Sequence, residues 1–431
     1  MDSIVSRVRN LRNAATWSVA AGLVSQGTSL LVVFVLARNL GTEEYGRYSY
    51  LVMIAAFFSS LCSSGINISA TVNISALTNK KNILVEECQR FYNLGYLLSL
   101  ASALLYLVLS GFLSYYSNSG VFSNFISHVL LSVYIFAVGF DAMQLGVAFG
   151  LGVFQKLALA NLVKAATLLG SMIVASSGGS YYAVLLALAF SWTLNLMVNK
   201  SVIENHLGVK IAFSRGKFIH ENKSWLMSVL VFSLPLILSA LITSGSIALS
   251  NHMAANLANG FLLVGIAALG RQWIFIHQFI PAQLSNMALP KLSRLRSDNS
   301  SFSKGSGLYM FGSVSLGLLI GALAIVVAWV FKDNLLASLK IDFVSALVFI
   351  IAGFLAVVNN TLGYILVSFG NTKARLRADF VMGAALLIAT YTLLRYEPSI
   401  AMPWAIALAF ACAVAELLIE IAAMKGKLHV T

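Results

Sequence analysis

The sequence predicts an all-α integral membrane protein with twelve transmembrane helices, arranged as two parallel six-helix halves around a central cavity. The first observation behind this fold class is composition: 59% of the 431 residues are hydrophobic and only 10% are charged, whereas soluble domains carry about 25% charged residues. The second is that apolar residues form runs of about 20, the length of a helix that crosses a bilayer. The third is the placement of Lys and Arg between these runs. A soluble protein is excluded.

Twelve apolar runs are long enough to be transmembrane helices, and we predict one helix for each. They lie at 14–37, 46–68, 91–113, 125–149, 160–176, 181–199, 225–250, 259–289, 308–331, 343–369, 379–395 and 400–423. The first run follows Arg7, Arg9 and Arg12. It is longer than the roughly 7–15 apolar residues of a signal peptide, so we interpret it as a retained helix.

Basic residues set the expected orientation, because cytoplasmic loops of membrane proteins collect Lys and Arg. With the N-terminus in the cytoplasm, most of the 28 Lys and Arg residues fall in cytoplasmic segments. The outer loops then hold only Arg38, Arg47, Lys332, Lys340 and Arg395. We therefore expect both termini in the cytoplasm. The net charge of +13 follows from this topology and from attraction to anionic headgroups, not from a nucleic-acid partner.

Short matching segments indicate that the chain is duplicated. The sequence ARNL at 37–40 recurs as AANL at 254–257, and a glycine follows each one, Gly46 and Gly265. Two halves of six helices both start in the cytoplasm, so the repeat is expected to be parallel, with a cavity between the halves. The predicted domains are an N-terminal six-helix bundle at 1–200, a cytoplasmic connecting loop at 201–224 and a C-terminal six-helix bundle at 225–431.

Three stretches resemble a known family. LARNLGTEEYGRYSYL at 36–51 looks like the first-loop signature of the Wzx-type O-antigen and lipid-linked oligosaccharide flippases. These belong to the multidrug/oligosaccharidyl-lipid/polysaccharide exporter superfamily, and the chain has Thr42 where the family often has proline. FSLPLILSALITSGS at 232–246 is similar to the start of the family's second half, and FIPAQLSNMALPKLSRL at 279–295 resembles the end of its eighth helix.

The resemblance implies a flippase of the bacterial inner membrane, and not an enzyme. It implies that an undecaprenyl-diphosphate-linked oligosaccharide, an O-antigen or similar repeat unit, moves from the cytoplasmic to the periplasmic leaflet by alternating access. A polysaccharide polymerase and a chain-length regulator are the implied protein partners, and no cofactor is implied.

Two alternatives stay open at this stage. One is a multidrug exporter of the same superfamily, whose typical cationic substrates favour acidic cavity walls. The other is a membrane O-antigen polymerase or glycosyltransferase. Such an enzyme usually needs a long outer loop as a catalytic platform, whereas the outer loops at 114–124 and 332–342 are about ten residues each, shorter than most functional lids.

Arg271 is the leading candidate for substrate binding, because an ionisable side chain inside a membrane is costly and most often functional. It lies in the eighth predicted span, and Gln278 and Ser285 follow at intervals of two helical turns, so the three share one face. The planar guanidinium suits phosphate, which favours contact with an anionic lipid headgroup in the cavity. The alternative role is that of a structural partner for Asp141.

Asp141, in the fourth predicted span, shares a stripe with Ser127, Tyr134 and Gln144, and Asp141, Tyr134 and Gln144 are candidate substrate-binding residues. A carboxylate at this depth is suited either to carrying a coupling proton or to neutralising Arg271. The sequence favours neither role.

Arg38 and Arg47 flank the first outer turn, with Glu43 and Glu44 between them. The interpretation we favour is a solvated turn in which the glutamates balance the arginines, because charges at span ends are ordinarily solvated. In the alternative, Arg38 or Arg47 turns into the mouth of the cavity and receives the diphosphate of the substrate.

Overall fold

The regular structure is helical throughout the described residues, which confirms the all-α fold class. The computed structural model describes residues 22, 24–25, 27–63, 65–77, 81–116, 125–178, 180–211, 222–295, 299–330, 332 and 341–428. The helices, labelled in chain order, are α1 (Gly27–Leu40), α2 (Thr42–Ser63), α3 (Ile66–Ala76), α4 (Lys81–Tyr116), α5 (Phe125–Leu151), α6 (Phe154–Ser177), α7 (Tyr181–Leu207), α8 (Lys223–Ala255), α9 (Gly260–Leu295), α10 (Asn299–Val330), α11 (Phe343–Phe369), α12 (Thr372–Tyr396) and α13 (Pro398–Leu428).

In the described part of the chain, eleven of the predicted spans are confirmed by helices that are long and apolar enough to cross a membrane. α2 and α3 together form one span, Thr42–Ala76, which is interrupted at Gly65, where φ is 86°. Each helix from α4 to α13 supplies one more. Of the first predicted span, 14–37, the part from Gly27 on is a shorter apolar helix, and 14–21 lies outside the described residues.

Several helices extend beyond their apolar runs into charged segments. α4 begins at Lys81 rather than at 91, α12 begins at Thr372 rather than at 379, and α7 continues to Leu207, inside the predicted connecting loop. An apolar run measures only the part of a helix that lipid covers, whereas the helix continues as long as its backbone hydrogen bonds do. The extension of α4 carries an ion pair one turn apart, between Arg90 and Glu86, of the kind that supports a solvated helix.

The described residues form two compact units. The first unit consists of the residues up to Leu40 and of Leu51–Leu241, and the second consists of Gly41–Tyr50 and of the residues from Ile242 on. The boundaries between the units therefore fall between α1 and α2, inside α2 and inside α8. The predicted division into bundles at 1–200 and 225–431 stays a prediction.

Each unit has its own apolar core. In the first unit, Phe91 of α4 and Met143 of α5 are fully buried among side chains of α3, α7 and α8. In the second, Phe349 of α11 is fully buried beside residues of α9, α12 and α13. A Cβ atom on Gly270 would lie 2.0 Å from the ring of Phe349, so α9 approaches α11 closely because this position is glycine. That contact sets the rotation of the helix that carries Arg271.

The two glycines that mark the sequence repeat meet in the second unit. A Cβ atom on Gly46 of α2 would lie 1.9 Å from the carbonyl oxygen of Phe261 and 3.0 Å from the backbone nitrogen of Gly265. A Cβ atom on Gly265 of α9 would lie 2.3 Å from the carbonyl oxygen of Thr42. The start of α2 therefore crosses the first turns of α9 backbone to backbone, an approach that small residues permit in membrane helices.

Candidate functional site

The second unit contains a cavity of about 260 Å³, lined by α8, α9, α11, α12 and α13. The amide and guanidinium side chains that line it are those of Asn251, Arg271, Gln278, Asn359, Asn360 and Arg375. Apolar side chains of α12 and α13 also line the cavity, and they include Met382, Leu386, Met402, Ile406 and Phe410. Among the described residues, two arginines and no carboxylate line this cavity.

Asn251 of α8 orients the guanidinium of Arg271, which lines the cavity. Nη2 of Arg271 donates a hydrogen bond of 3.3 Å to Oδ1 of Asn251. Nδ2 of Asn251 in turn donates to the carbonyl oxygen of Ile247 at 2.6 Å, and Asn251 is fully buried, so the acceptor is fixed in place. Gln278 lines the same cavity two turns further along α9, on the face that the sequence assigned to both residues. A neutral amide positions the Arg271 guanidinium without cancelling its charge.

Sequence reasoning missed the second arginine of the cavity, Arg375, because it assigned this residue to a cytoplasmic loop. Arg375 lies in the first turn of α12, which is capped by Asn371, whose Oδ1 accepts from the backbone N–H of Ala374 at 3.2 Å. Its Nε donates to Oδ2 of Asp379 at 2.8 Å, and its Nη1 donates to the carbonyl oxygen of Asn359 at 3.1 Å. Two features of the sequence could have indicated that Arg375 lies in a helix: the cap residue Asn371, and the spacing of one helical turn between Arg375 and Asp379.

Asp141 is buried in the first unit, 2% exposed, and its charge is paired with Lys164. Nζ of Lys164 on α6 is 3.5 Å from Oδ2 of Asp141. Oδ1 accepts hydrogen bonds from the side-chain amides of Asn195 and Asn199 on α7. The cation that faces this carboxylate is therefore a lysine, not Arg271 as one alternative from the sequence had it. Among the described residues, no group of three or more His, Cys, Asp or Glu side chains is placed to hold a metal ion.

Tyr134 and Gln144, the other candidates of the predicted stripe, also lie in the first unit. The ring of Tyr134 meets Trp192 edge to face at 5.9 Å, and Nζ of Lys164 lies 3.5 Å from the centre of the Trp192 ring. Gln144 is 1% exposed, and its Nε2 donates to the hydroxyl of Tyr92 at 2.8 Å. Neither Tyr134 nor Gln144 lines the cavity of the second unit. A role for them in substrate binding stays a prediction.

Arg47 lies in the first turns of α2 and pairs with two glutamates of the same helix. Its guanidinium lies 3.1 Å from Oε1 of Glu43 and 3.2 Å from Oε1 of Glu44, and 4.9 Å from the centre of the Phe261 ring. Arg38 is exposed near the end of α1. Neither arginine lines the cavity. Arg47 and the two glutamates thus balance one another within the start of a helix rather than in a turn, and reception of a diphosphate by Arg38 or Arg47 stays a prediction.

Comparison with known proteins supports a transporter fold. The model of a family described as "Polysaccharide biosynthesis protein" matches residues 35–309, while no curated protein matches the chain. The chain is similar to the solved structure of a MATE family multidrug resistance transporter of the MOP superfamily in an outward-facing conformation. The identity is 14%, the TM-score is 0.71, and the match covers 97% of this chain and 96% of that chain.

A second solved structure of the same superfamily is also similar. It is a MOP superfamily transporter from Pyrococcus furiosus, described as having a binding pocket of reverse polarity that suggests a different function. The identity is 13%, the TM-score is 0.71, and the match covers 96% of each chain. At these identities the likeness shows the fold alone, which is the MATE-like transporter fold.

Proposed function

The chain belongs to the polysaccharide biosynthesis protein family, and from that premise we propose that it is a flippase for a lipid-linked oligosaccharide. The substrate is an undecaprenyl-diphosphate-linked repeat unit, of O-antigen or a similar polysaccharide. The protein moves it from the cytoplasmic to the periplasmic leaflet of the bacterial inner membrane by alternating access, with both of its own termini in the cytoplasm.

The observation that carries this proposal is the cavity of the second unit, which Arg271 and Arg375 both line and which no described carboxylate lines. A guanidinium binds phosphate through parallel N–H donors, and such charge-assisted hydrogen bonds are about twice as strong as neutral ones. Charges also interact more strongly away from water than in it. An anionic headgroup is therefore the ligand class that this cavity favours.

The apolar residues that line the cavity support the same substrate class. Met382 and Leu386 of α12 and Met402, Ile406 and Phe410 of α13 face a space that also contains the two arginines. A sugar alone is polar over most of its surface, whereas the junction of a diphosphate and an isoprenoid is anionic on one side and apolar on the other. A cavity lined by both guanidinium and apolar side chains suits that junction.

A multidrug exporter for cationic compounds is the competing function. Its substrates need carboxylates in the cavity wall, because a cation that leaves water must be compensated. Asp379 contacts Arg375, but its side chain is only 1% exposed and its carboxylate is already paired with that arginine. The charge presented to the cavity is thus cationic, which disfavours a cationic drug.

The test is loss of surface polysaccharide in Arg271→Ala. A hydrogen bond to a charged group contributes about 1.5–3 kcal/mol, so we expect export to fall at least about tenfold. Arg375→Ala should act in the same direction, although it also leaves Asp379 without its cation. Arg377→Ala is the matched control, since this arginine lies on the same helix with a side chain 60% exposed, paired with Glu420.

The readouts are surface polysaccharide and the amount of inserted protein. The proposal requires that Arg271→Ala is inserted in the membrane with surface polysaccharide reduced at least about tenfold, and that Arg377→Ala has normal polysaccharide. Wild-type polysaccharide in Arg271→Ala would remove this residue from the mechanism. Loss of drug resistance with unchanged polysaccharide in a deletion strain would support the multidrug exporter instead.

A further inference from the structure

The side chain of Arg375 lies across α11 at a position where that helix has no side chain. A Cβ atom built on Gly363 would lie 2.2 Å from Nη1, 3.0 Å from Cδ and 3.1 Å from Cζ of Arg375. These are the three atoms nearest to that position, and all of them belong to the arginine. Gly363 is buried. Its missing side chain therefore makes room for the guanidinium and not for the backbone of another helix.

Two hydrogen bonds hold the guanidinium in the notch, which is the space that Gly363 leaves on α11. On one edge, Nε donates to Oδ2 of Asp379 at 2.8 Å, and Asp379 comes from the next turn of the same helix. On the other, Nη1 donates to the carbonyl oxygen of Asn359 at 3.1 Å. In an α-helix that carbonyl also accepts the N–H of the residue four positions on, which is Gly363. The notch and the acceptor are therefore parts of the same helical turn.

The remaining group of the guanidinium, Nη2, makes no hydrogen bond with the described part of the chain, and Arg375 lines the cavity. Its side chain is 18% exposed. A long side chain that is already fixed at two of its nitrogen atoms loses little freedom when the third binds a ligand. Nη2 thus keeps two N–H donors that the described chain does not use, on a side chain that is fixed in position and lines the cavity.

We propose that Gly363 is a positioning residue for substrate binding. By leaving room for the guanidinium, it lets Arg375 lie flat across α11 with Nη2 directed at an anionic group in the cavity. The inference rests on the proposed function for the identity of the ligand, a prenyl diphosphate. Any larger residue at position 363 displaces the guanidinium, because the end of the Arg375 side chain moves more easily than the backbone of α11. The substitution keeps the fold but changes the direction in which the Nη2 donors of Arg375 point.

The proposal predicts that Gly363→Ala acts only through Arg375. The experiment measures binding of farnesyl diphosphate and of inorganic pyrophosphate to the purified full chain in detergent, by calorimetry. The variants are Gly363→Ala, Arg375→Lys and the double variant, with Gly312→Ala as control, since no atom lies within 4 Å of a Cβ built there. Lysine keeps a cation beside Asp379 but has no Nη atoms and is free to leave the notch.

We expect Gly363→Ala to weaken binding of farnesyl diphosphate about tenfold, the loss of one good polar contact. Arg375→Lys should weaken it at least as much, and adding Gly363→Ala to Arg375→Lys should change it less than twofold. Gly312→Ala should bind as the wild type does. Wild-type affinity in Gly363→Ala, or equal losses in both backgrounds, overturns the inference, because a merely structural glycine would act independently of residue 375.

The melting temperature of the same variants separates this inference from the proposed function. If the wild type binds neither farnesyl diphosphate nor pyrophosphate, the proposed function fails. The notch is still tested, since Gly363→Ala should then lower the melting temperature of the wild type but not that of Arg375→Lys. An equal decrease in both backgrounds contradicts the positioning role.

Discussion

Asp141 and Lys164 form an ion pair inside the first unit, with side chains 3% and 13% exposed. Asn195 and Asn199 donate to the second carboxylate oxygen, so both oxygens have partners. The ammonium of Lys164 also lies over the Trp192 ring, a favourable place for a desolvated cation. A carboxylate compensated in this way needs no proton to be neutralised. We therefore interpret the pair as structural and not as a proton-coupling site.

This interpretation predicts non-additive effects on stability. Lys164→Met leaves a buried carboxylate without its cation, which costs about 3–5 kcal/mol in systems of this kind, whereas replacing both partners is often nearly neutral. We expect Lys164→Met to lower the melting temperature and Asp141→Asn/Lys164→Met to recover most of the loss, with surface polysaccharide restored. Lys200→Met is the control, because Lys200 is 44% exposed beside Glu204, and exposed pairs contribute about 0–1 kcal/mol. A double variant that is stable but exports nothing would return Asp141 to the transport mechanism.

At the scale of helices, glycine contacts set which elements approach closely enough to form the site. Gly270 places α9 against Phe349 of α11, and Gly46 and Gly265 bring the start of α2 onto the first turns of α9. Arg271 is carried by this same helix, so its direction depends on both contacts. A lipid-covered helix has no apolar driving force toward another helix, and close packing of small residues supplies the association.

Alanine at Gly265 should therefore destabilise the second unit. Its Cβ atom would lie 2.3 Å from the carbonyl oxygen of Thr42, a backbone atom that cannot rotate away. Overpacking of this kind typically costs about 1–3 kcal/mol. Gly170→Ala on α6 is the matched control, with no atom within 4 Å of the added Cβ, and should be neutral or slightly stabilising because alanine favours helix. Equal melting temperatures for the two variants would show that α2 and α9 do not pack as described.

For the whole molecule, the proposed transport needs an energy source, and the charge of the substrate supplies one. Each charge that crosses the membrane is worth about 2.3 kcal/mol per 100 mV, so exporting two negative charges from a negative cytoplasm gains about 4–5 kcal/mol. The charges of the protein return to their starting places over a full cycle and cancel from this sum. In the proposed transport cycle, the role of the arginines of the cavity is kinetic, because they lower the cost of holding an anion away from water.

The prediction is that the membrane potential alone drives net flipping. The protein is reconstituted in liposomes with a prenyl-diphosphate-linked saccharide, and a potential is imposed without a pH or sodium gradient. Flipping should follow the sign and size of the potential and should be lost in Arg271→Ala. If flipping ignores the potential and follows a proton gradient, a titrating group drives transport, and Asp141 becomes the first residue to examine.

The sequence by itself determined eleven of the transmembrane spans in the described part of the chain, because the length of an apolar run is a local property of the sequence. It also placed Arg271 and Gln278 on one face, since helical periodicity is local too. Only the tertiary structure decided that Lys164 compensates Asp141 and that Arg375 reaches the cavity from the end of α12. The ion pair joins α5 and α6, and the position of Arg375 depends on the room that Gly363 leaves on α11. No spacing along one chain encodes these contacts, because they arise from the shapes of two helices at once.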